Sequence, residues 1–333
     1  MINELVFNSL TKKRDNKFFN KLGDLPNPDR IIRRKGNYSD LRELKNDPHV
    51  WACVQSRKSG TLAKEYSLVS NNISTNIEKF IADQLDRIDM DKLKSDILES
   101  RLFGFQVLEI NWQKIDNKLE IEKIIPREQE NFTFDSDDKL KLKDFGKSLD
   151  IPLYKVLNCR YEASDTNPYG TALLSKCYWS VKFKTSALKY WAVMTEKYGM
   201  PVLLGKYNRG TNREEAEKLA NSLFDLVQDS VIVAPSDIDL QLFEPNRQSS
   251  TDLYFEMIKH CNTEISKVLL SQTLTTEVGA GSYAASQTHL EVRNDILLAD
   301  SKAIETTISK LIQYVIELNF GKQTGTLKYK CKE

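Results

Sequence analysis

The chain has 333 residues, with 48 Lys and Arg against 47 Asp and Glu and a formal net charge of +1. Hydrophobic residues make up 40% and charged residues 29%. That apolar supply excludes a wholly disordered chain, and the near-zero charge excludes a strongly basic nucleic-acid binder that works by bulk attraction.

The length fits two or three domains, or one large elaborated unit. Residues 1–36 are polar, basic and punctuated by proline, with Phe18, Phe19 and Leu22 as apolar anchors and Arg30, Arg33, Arg34 and Lys35 near the end. A terminal arm draped over a neighbour and a frayed terminus are both open readings. Asp47-Pro48 predicts a helix N-cap with proline at the first helical position, and HVWACVQSRKSGTLAK continues it at helical spacing. Residues 65–69 alternate like a strand. Helical segments follow from Ser74 to Ser100, then Gly104 as a break, then strands over 105–112, 119–125 and 132–134, with a turn at 136–139. These elements form an α+β segment of ordinary domain size.

After Asn167-Pro168-Tyr169-Gly170 the character changes. Residues 171–198 contain no Gly or Pro and predict one long helix, stopped by Gly199 and Pro201. Residues 200–245 read as a small β-α-β-β unit. Its helix is capped by Thr211 or Asn212 and is apolar at Ala216, Leu219, Ala220, Leu223, Phe224 and Val227. A second long helix covers about 250–270. A segment rich in Thr, Ser and Gly spans 271–286, a third helix runs from about Gln287 to Leu318, and TLKYKC closes as a strand. The fold class is α+β.

Motifs for chemistry are scarce. Cys53, Cys159, Cys177, Cys261 and Cys331 lie at least 18 residues apart, so no zinc spacing exists, and the odd, scattered set points to a reducing compartment. His49, His260 and His289 form no HExxH or other pair. GAGS at 279–282 lacks the phosphate-loop pattern and follows a helix, which favours a plain connector. Ser282 near His289 lacks the rest of a triad. Asp135, Asp137 and Asp138 suggest a calcium loop, but Gly146 stands at the twelfth position, where a Glu is needed, so a hydrated turn is the better reading. His260 and Cys261 are adjacent on a helix and point apart. Trp179 and Trp191 read as packing. Lys176, Lys182, Lys184, Lys189 and Lys197 do not make one stripe, and a solvated helix face accounts for them. No signal peptide and no apolar run of membrane-spanning length occurs, so the expectation is a soluble, cytoplasmic chain without metal or cofactor.

The order of the sequence words resembles a known family, the Mu-like phage portal proteins. NPDRIIRRKG (27–36), DPHVWACVQSRKSG (47–60), FGFQVLEINW (103–112) and NPYGTALLSKCYW (167–179) come first. FKTSALKYWAVMTEKYGMPVLLGKY (183–207), the VIVAPSDIDLQLF strands, residues 265–300 and LNFG (318–321) follow in order. The resemblance runs from about residue 26 to near the end. It implies a portal-type fold: an N-terminal arm (1–36), a wing (37–167), a first stem helix (168–199), a βαββ clip (200–247) and a second stem helix (248–270). A tunnel loop (271–286), and a long wing helix with a final strand (287–333) complete it, with the crown short or absent. A small unit bracketed by two long helices suits a clip.

The resemblance also implies a homo-oligomeric ring, usually of twelve, at the capsid vertex of a virion assembled in the host bacterial cytoplasm. Double-stranded DNA passes its channel during packaging and ejection. The terminase large subunit, the head–tail connector and capsid protein are its partners, with no membrane, catalytic residue, metal or cofactor. Thr273, Thr275, Thr276, Glu277, Gly279 and Gly281 fall in the tunnel loop, where glycine gives backbone freedom and hydroxyls exchange hydrogen bonds with phosphates. Lys259 and Lys267 on the second stem helix are the expected channel lysines. Arg213, Glu214, Glu215 and Lys218 are the expected clip contacts. Two competing readings are an enzyme with an unrecognised site, which lacks motif support, and a monomeric DNA-binding module, which the charge disfavours. Native mass separates them from a ring.

Overall fold

A computed structural model describes residues 24–25, 27, 29–35, 38–144, 147–199, 203–208, 210–226, 231–236, 247–273 and 283–332. The chain divides into two units, Met1–Tyr178 with Ile265–Glu333, and Trp179–Glu264.

In the first unit, β1 (Asp24–Leu25) and α1 (Arg30–Lys35) belong to the body. β1 pairs antiparallel with Phe134 and Asp135, Asn27 donates to the Tyr38 hydroxyl at 2.9 Å, and Ile32 is buried. This part of the expected arm therefore docks on its own unit; residues 1–23 lie outside the described residues. Next come α2 (Ser39–Leu44) and α3 (Pro48–Leu62). The Asp47 carboxylate accepts from the His49 and Val50 amides at 2.9 and 3.0 Å, with proline at the first position, as the sequence predicts.

The main core forms on one face of a sheet ordered β4-β3-β8, made of Lys118–Arg127, Phe105–Ile115 and Val156–Arg160. Leu108, Ile110, Ile121, Leu157 and Cys159 meet α4 (Thr75–Asp86) and α5 (Met90–Phe103) there. The 38-residue helix Tyr283–Phe320 lies against them through Ile304, Ile308, Leu311, Ile312 and Val315, all buried. This helix starts earlier and ends later than the 287–318 that periodicity predicts, so residues 283–286 leave the expected loop. On the other face of the sheet Phe105 and Val107 are buried, and Phe105, Phe134 and Tyr169 pack edge to face at 4.9–5.8 Å.

A second sheet is ordered β1-β5-β6-β7, with β5 Phe132–Asp135, β6 Leu140–Asp144 and β7 Lys147–Asp150. The sequence reading places no strands at β6, β7 or β8. β6 and β7 are largely exposed, and only β6 alternates, as Leu140-Lys141-Leu142-Lys143; Lys141 ties β6 to Asp150 of β7 and Asp135 of β5. The last strand, β11 (Thr326–Cys331), pairs antiparallel with β2 (Tyr66–Asn71).

The second unit contains most of α6 (Leu173–Gly199) and α8 (Arg247–Leu270), which the sequence predicts nearly to the residue. Between them β9 (Leu203–Tyr207), α7 (Arg213–Leu226) and β10 (Val231–Pro235) form a βαβ unit, with the two strands paired in parallel from Leu203↔Val231 to Tyr207↔Pro235. The predicted fourth element, IDLQLF, lies outside the described residues. The helix Tyr283–Phe320 is α9.

Candidate functional site

Twenty-seven residues make α6 about 40 Å long, and 24 make α8 about 36 Å. In the second unit α6 buries Val181, Lys184 and Ala187 on one side. Its opposite side carries Trp179, Phe183, Tyr190 and Val193, 57%, 50%, 61% and 39% exposed. At 100° per residue these four fall within an arc of about 80°. The Trp179 and Phe183 rings stack with centroids 5.7 Å apart. The sequence reading takes Trp179 as packing; in the single chain it packs on its own helix and stays open to solvent. On α8, Leu253 and Met257 are also exposed and share a face, with Phe255 exposed on the other side of that helix. Large apolar side chains grouped on exposed helix faces mark a surface that another body covers.

The predicted site residues separate into three groups. Lys259 and Lys267 are both exposed on α8. Eight residues apart, they sit about 80° apart around the helix and about 12 Å apart along it, so they share one broad face. Thr273 is half-buried just beyond the end of α8, while Thr275, Thr276, Glu277, Gly279 and Gly281 lie outside the described residues. Arg213, Glu214, Glu215 and Lys218 are all exposed on the first turns of α7. Of the two candidate caps, Asn212 opens this helix, its carbonyl accepting from the Glu215 and Ala216 amides at 3.0 and 3.1 Å. The two acids stand at the positive end of the helix dipole. Arg213 pairs along the helix with Glu217 at 3.0 Å.

A buried ion cluster ties the end of α8 to the middle of α9. Asp300 on α9 accepts from Arg57 Nε at 2.6 Å, Arg57 Nη2 at 3.0 Å and Arg101 Nε at 2.8 Å. Arg57 Nη1 also donates to the Leu269 carbonyl at 2.8 Å, and Arg101 Nη2 to the Ala299 carbonyl at 2.9 Å. Leu269 is in the last turn of α8, whose carbonyls have no partner inside the helix. Burial alone would lower the Arg57 pKa; hydrogen bonding and charge attraction from Asp300 outweigh it and hold that pKa above its ordinary value. Sequence reasoning misses this cluster. Its one signal is a carboxylate on the apolar face of a helix, with Leu297, Ile304 and Ile308 at three, four and eight residues from Asp300.

Groups that suggest chemistry have structural roles. His49 Nε2 lies 2.7 Å from Ser266 Oγ, and Cys53 Sγ lies 3.7 Å from the same oxygen. Ser266 is 1% exposed, which places this oxygen inside the packed core. His260 is exposed and Cys261 buried, so the neighbours point apart as expected. Asp135 accepts from the Asp137 and Lys139 amides, both at 2.9 Å, which makes the acidic segment a hydrogen-bonded turn. Among the described residues no group of three or more His, Cys, Asp or Glu is placed to hold a metal, and no helix is long and apolar enough to cross a membrane.

Comparison with known proteins supplies a family. The model of a family described as the portal protein of Mu bacteriophage matches residues 38–333. The portal protein of Escherichia phage Mu is 26% identical over 291 residues, 84% of this chain and 56% of that protein. The Mu-like prophage FluMu protein gp29 of Haemophilus influenzae is 24% identical over 288 residues, 83% of this chain and 55% of that protein. The chain therefore spans about half the length of these relatives. A chain in the neck of a native gene transfer agent particle, computed with C12 symmetry, shares the fold at a TM-score of 0.54 and 12% identity, covering 92% of this chain and 85% of that one.

Proposed function

This chain belongs to the family of the portal protein of Mu bacteriophage, and on that premise we propose that it assembles as a ring at the capsid vertex and conducts double-stranded DNA during packaging and ejection. The observation that carries the ring is the exposed stripe Trp179, Phe183, Tyr190 and Val193, opposite the buried side of α6. A row of large apolar side chains exposed along one helix side is commonly covered by a second body. In a ring, one surface of each copy meets a different surface of the next, and rotation closes the circle. Twelve copies match the symmetry of the gene transfer agent neck.

On this reading residues 37–167 are the wing, α6 and α8 the stem, and 200–247 the clip. The segment 271–286, shortened at its end by α9, is the tunnel loop, and α9 is the long wing helix. Lys259, Lys267 and Thr273, with Thr275, Thr276, Glu277, Gly279 and Gly281, face the channel. The net charge of +1 suits a conduit, because each added phosphate contact would raise affinity and slow sliding. Arg213, Glu214, Glu215 and Lys218 meet the terminase large subunit and then the head–tail connector, and capsid protein surrounds the ring in the virion. The family is structural, and the reading assigns the chain no reaction and no cofactor.

Native mass and negative stain test the proposal. Twelve copies of a 38.3-kDa chain give a particle of about 460 kDa with a central hole. The double variant Phe183→Asp, Tyr190→Asp should leave a folded chain that no longer forms it. A wild-type chain that stays monomeric at micromolar concentration, both alone and when co-expressed with its capsid protein, refutes the ring.

A further inference from the structure

An open groove of about 850 Å³ runs between the second half of α9 and strand β11 in the first unit. Nothing in the ring reading uses it. Its cations and acids are unequally engaged. Glu305 is fully occupied, one oxygen accepting the Cys331 amide at 2.9 Å and the other meeting Lys330 Nζ at 3.3 Å. Glu317 is likewise occupied, accepting from the Tyr154 hydroxyl at 3.0 Å and from Gln313 Nε2 at 2.8 Å. Lys310, Lys322 and Lys328 also line the groove, are exposed, and make no ion pair among the described residues. Lys310 Nζ instead lies 5.7 Å over the Tyr314 ring. The floor between them is apolar, from Ile316, Leu327 and Tyr329.

We propose that this groove docks an extended acidic peptide segment of another protein, with carboxylates meeting Lys310, Lys322 and Lys328 and apolar side chains lying on the floor. Three lysines without carboxylate partners around one concavity leave a local positive charge that an acidic segment complements. The apolar floor selects a peptide over duplex DNA, because a duplex presents a convex row of phosphates and has no side chain to fill a groove. Recognition runs through side chains rather than strand addition. The outward amides of β11 at Tyr329 and Cys331 are already taken by Ser309 Oγ at 3.0 Å and by Glu305, which closes that edge to a further strand. Exposed ion pairs are weak singly, so binding needs several contacts together and falls with salt.

The test uses the full chain and fluorescence anisotropy of a labelled twelve-residue peptide of Glu, Asp, Leu and Ser. Four comparisons accompany it: the same peptide with Gln and Asn for its acids, the same peptide with Ser for Leu, a labelled 24-base-pair duplex, and the triple variant Lys310→Glu, Lys322→Glu, Lys328→Glu. The acidic peptide should bind, and more weakly at higher salt. The amide peptide, the Leu-free peptide and the triple variant should each weaken binding at least tenfold, with the variant's circular dichroism and melting temperature unchanged. No binding of the acidic peptide overturns the proposal, as does equal binding by the triple variant or by either altered peptide. Tighter binding of the duplex through the same lysines also overturns it, in favour of a nucleic-acid surface. Because none of these readings measures the assembly of the chain, failure here leaves the ring proposal untouched.

Discussion

Arg57 and Asp300 are 243 positions apart in sequence and joined by two hydrogen bonds, at 2.6 and 3.0 Å, with the Asp300 side chain 1% exposed. Arg101 completes the cluster from α5. Asp300→Ala leaves two buried guanidinium groups without their carboxylate, and such a loss costs about 3–5 kcal/mol. The expected result in urea unfolding is a lower midpoint of that size, with the slope unchanged. Arg57→Met and Arg101→Met together with Asp300→Leu should recover much of the loss, because replacing a whole buried ion cluster by apolar groups is often neutral, whereas leaving either arginine unpaired is not. Equal destabilisation of the single and triple variants would contradict this account.

Gly104 and Gly170 require each other's bareness. Both have positive φ, 89° and 73°, and a Cβ on Gly170 would lie 2.4 Å from the carbonyl oxygens of Gly104 and Tyr161. Those two carbonyls are in use: Gly104 O accepts from the Tyr161 amide and Tyr161 O from the Thr171 amide, both at 2.8 Å. Gly170→Ala therefore combines left-handed backbone strain with a clash that no rotamer relieves. The expected cost is more than about 2 kcal/mol, read as lost soluble yield or a lower unfolding midpoint. Gly321→Ala is the control: it has positive φ with open space around it, and its cost should stay near about 1 kcal/mol.

Glu99 makes the first unit sensitive to acid. Burial alone would raise its pKa, but Lys58 and Lys45 outweigh burial by charge and hydrogen bonding, so the carboxyl sits below its ordinary 4.5. A depressed carboxyl contributes stability that is present in full above the unfolded value and is lost as pH falls through the folded one. The wild type should therefore lose stability progressively below about pH 4.5. Glu99→Gln should be less stable at neutral pH and show a shallower fall in acid. Parallel stability–pH curves for the two proteins would remove Glu99 from the explanation.

Much of this was legible in sequence because the signals are local. Asp47-Pro48 marks a cap, residues 171–198 lack Gly and Pro, and TLKYKC alternates; each needs only its neighbours to be read. What stayed hidden depends on distant partners. Asp300 reads as one acid among many until Arg57 and Arg101 arrive from two other helices. β7 is exposed along its length and shows no apolar period, whereas β6 does alternate, Leu140-Lys141-Leu142-Lys143, a short signal beside the turn that the sequence reading does not use. Trp179 looks like a core residue by type, and only the packing of the opposite side of α6 shows that it faces outward. The exposure of Arg213, Glu214, Glu215 and Lys218 was legible because charges in the first turns of an amphipathic helix are a local pattern. Any contacts they make with partners are not visible in one chain.

The helix α7, proposed as part of the clip, offers a direct check of the proposed docking surface. Arg213, Glu214, Glu215 and Lys218 are exposed on α7, and the ion pair of Arg213 with Glu217 joins side chains 91% and 63% exposed. Such a pair contributes little to stability, and surface substitutions of this kind usually shift it by no more than about 0.5 kcal/mol. Reversing all four charges, with Arg213→Glu, Glu214→Lys, Glu215→Lys and Lys218→Glu, should leave melting and ring mass unchanged. Reversing Glu214 and Glu215 alone adds a small cost, because acids at a helix N-terminus complement its dipole. If α7 is where the packaging motor docks, complementary charge sets the encounter rate and the approach of the right partner. Pull-down of the terminase large subunit by the variant ring should then fall at least tenfold, while capsid incorporation persists. Undiminished terminase capture by a ring of normal mass would move the docking surface away from α7.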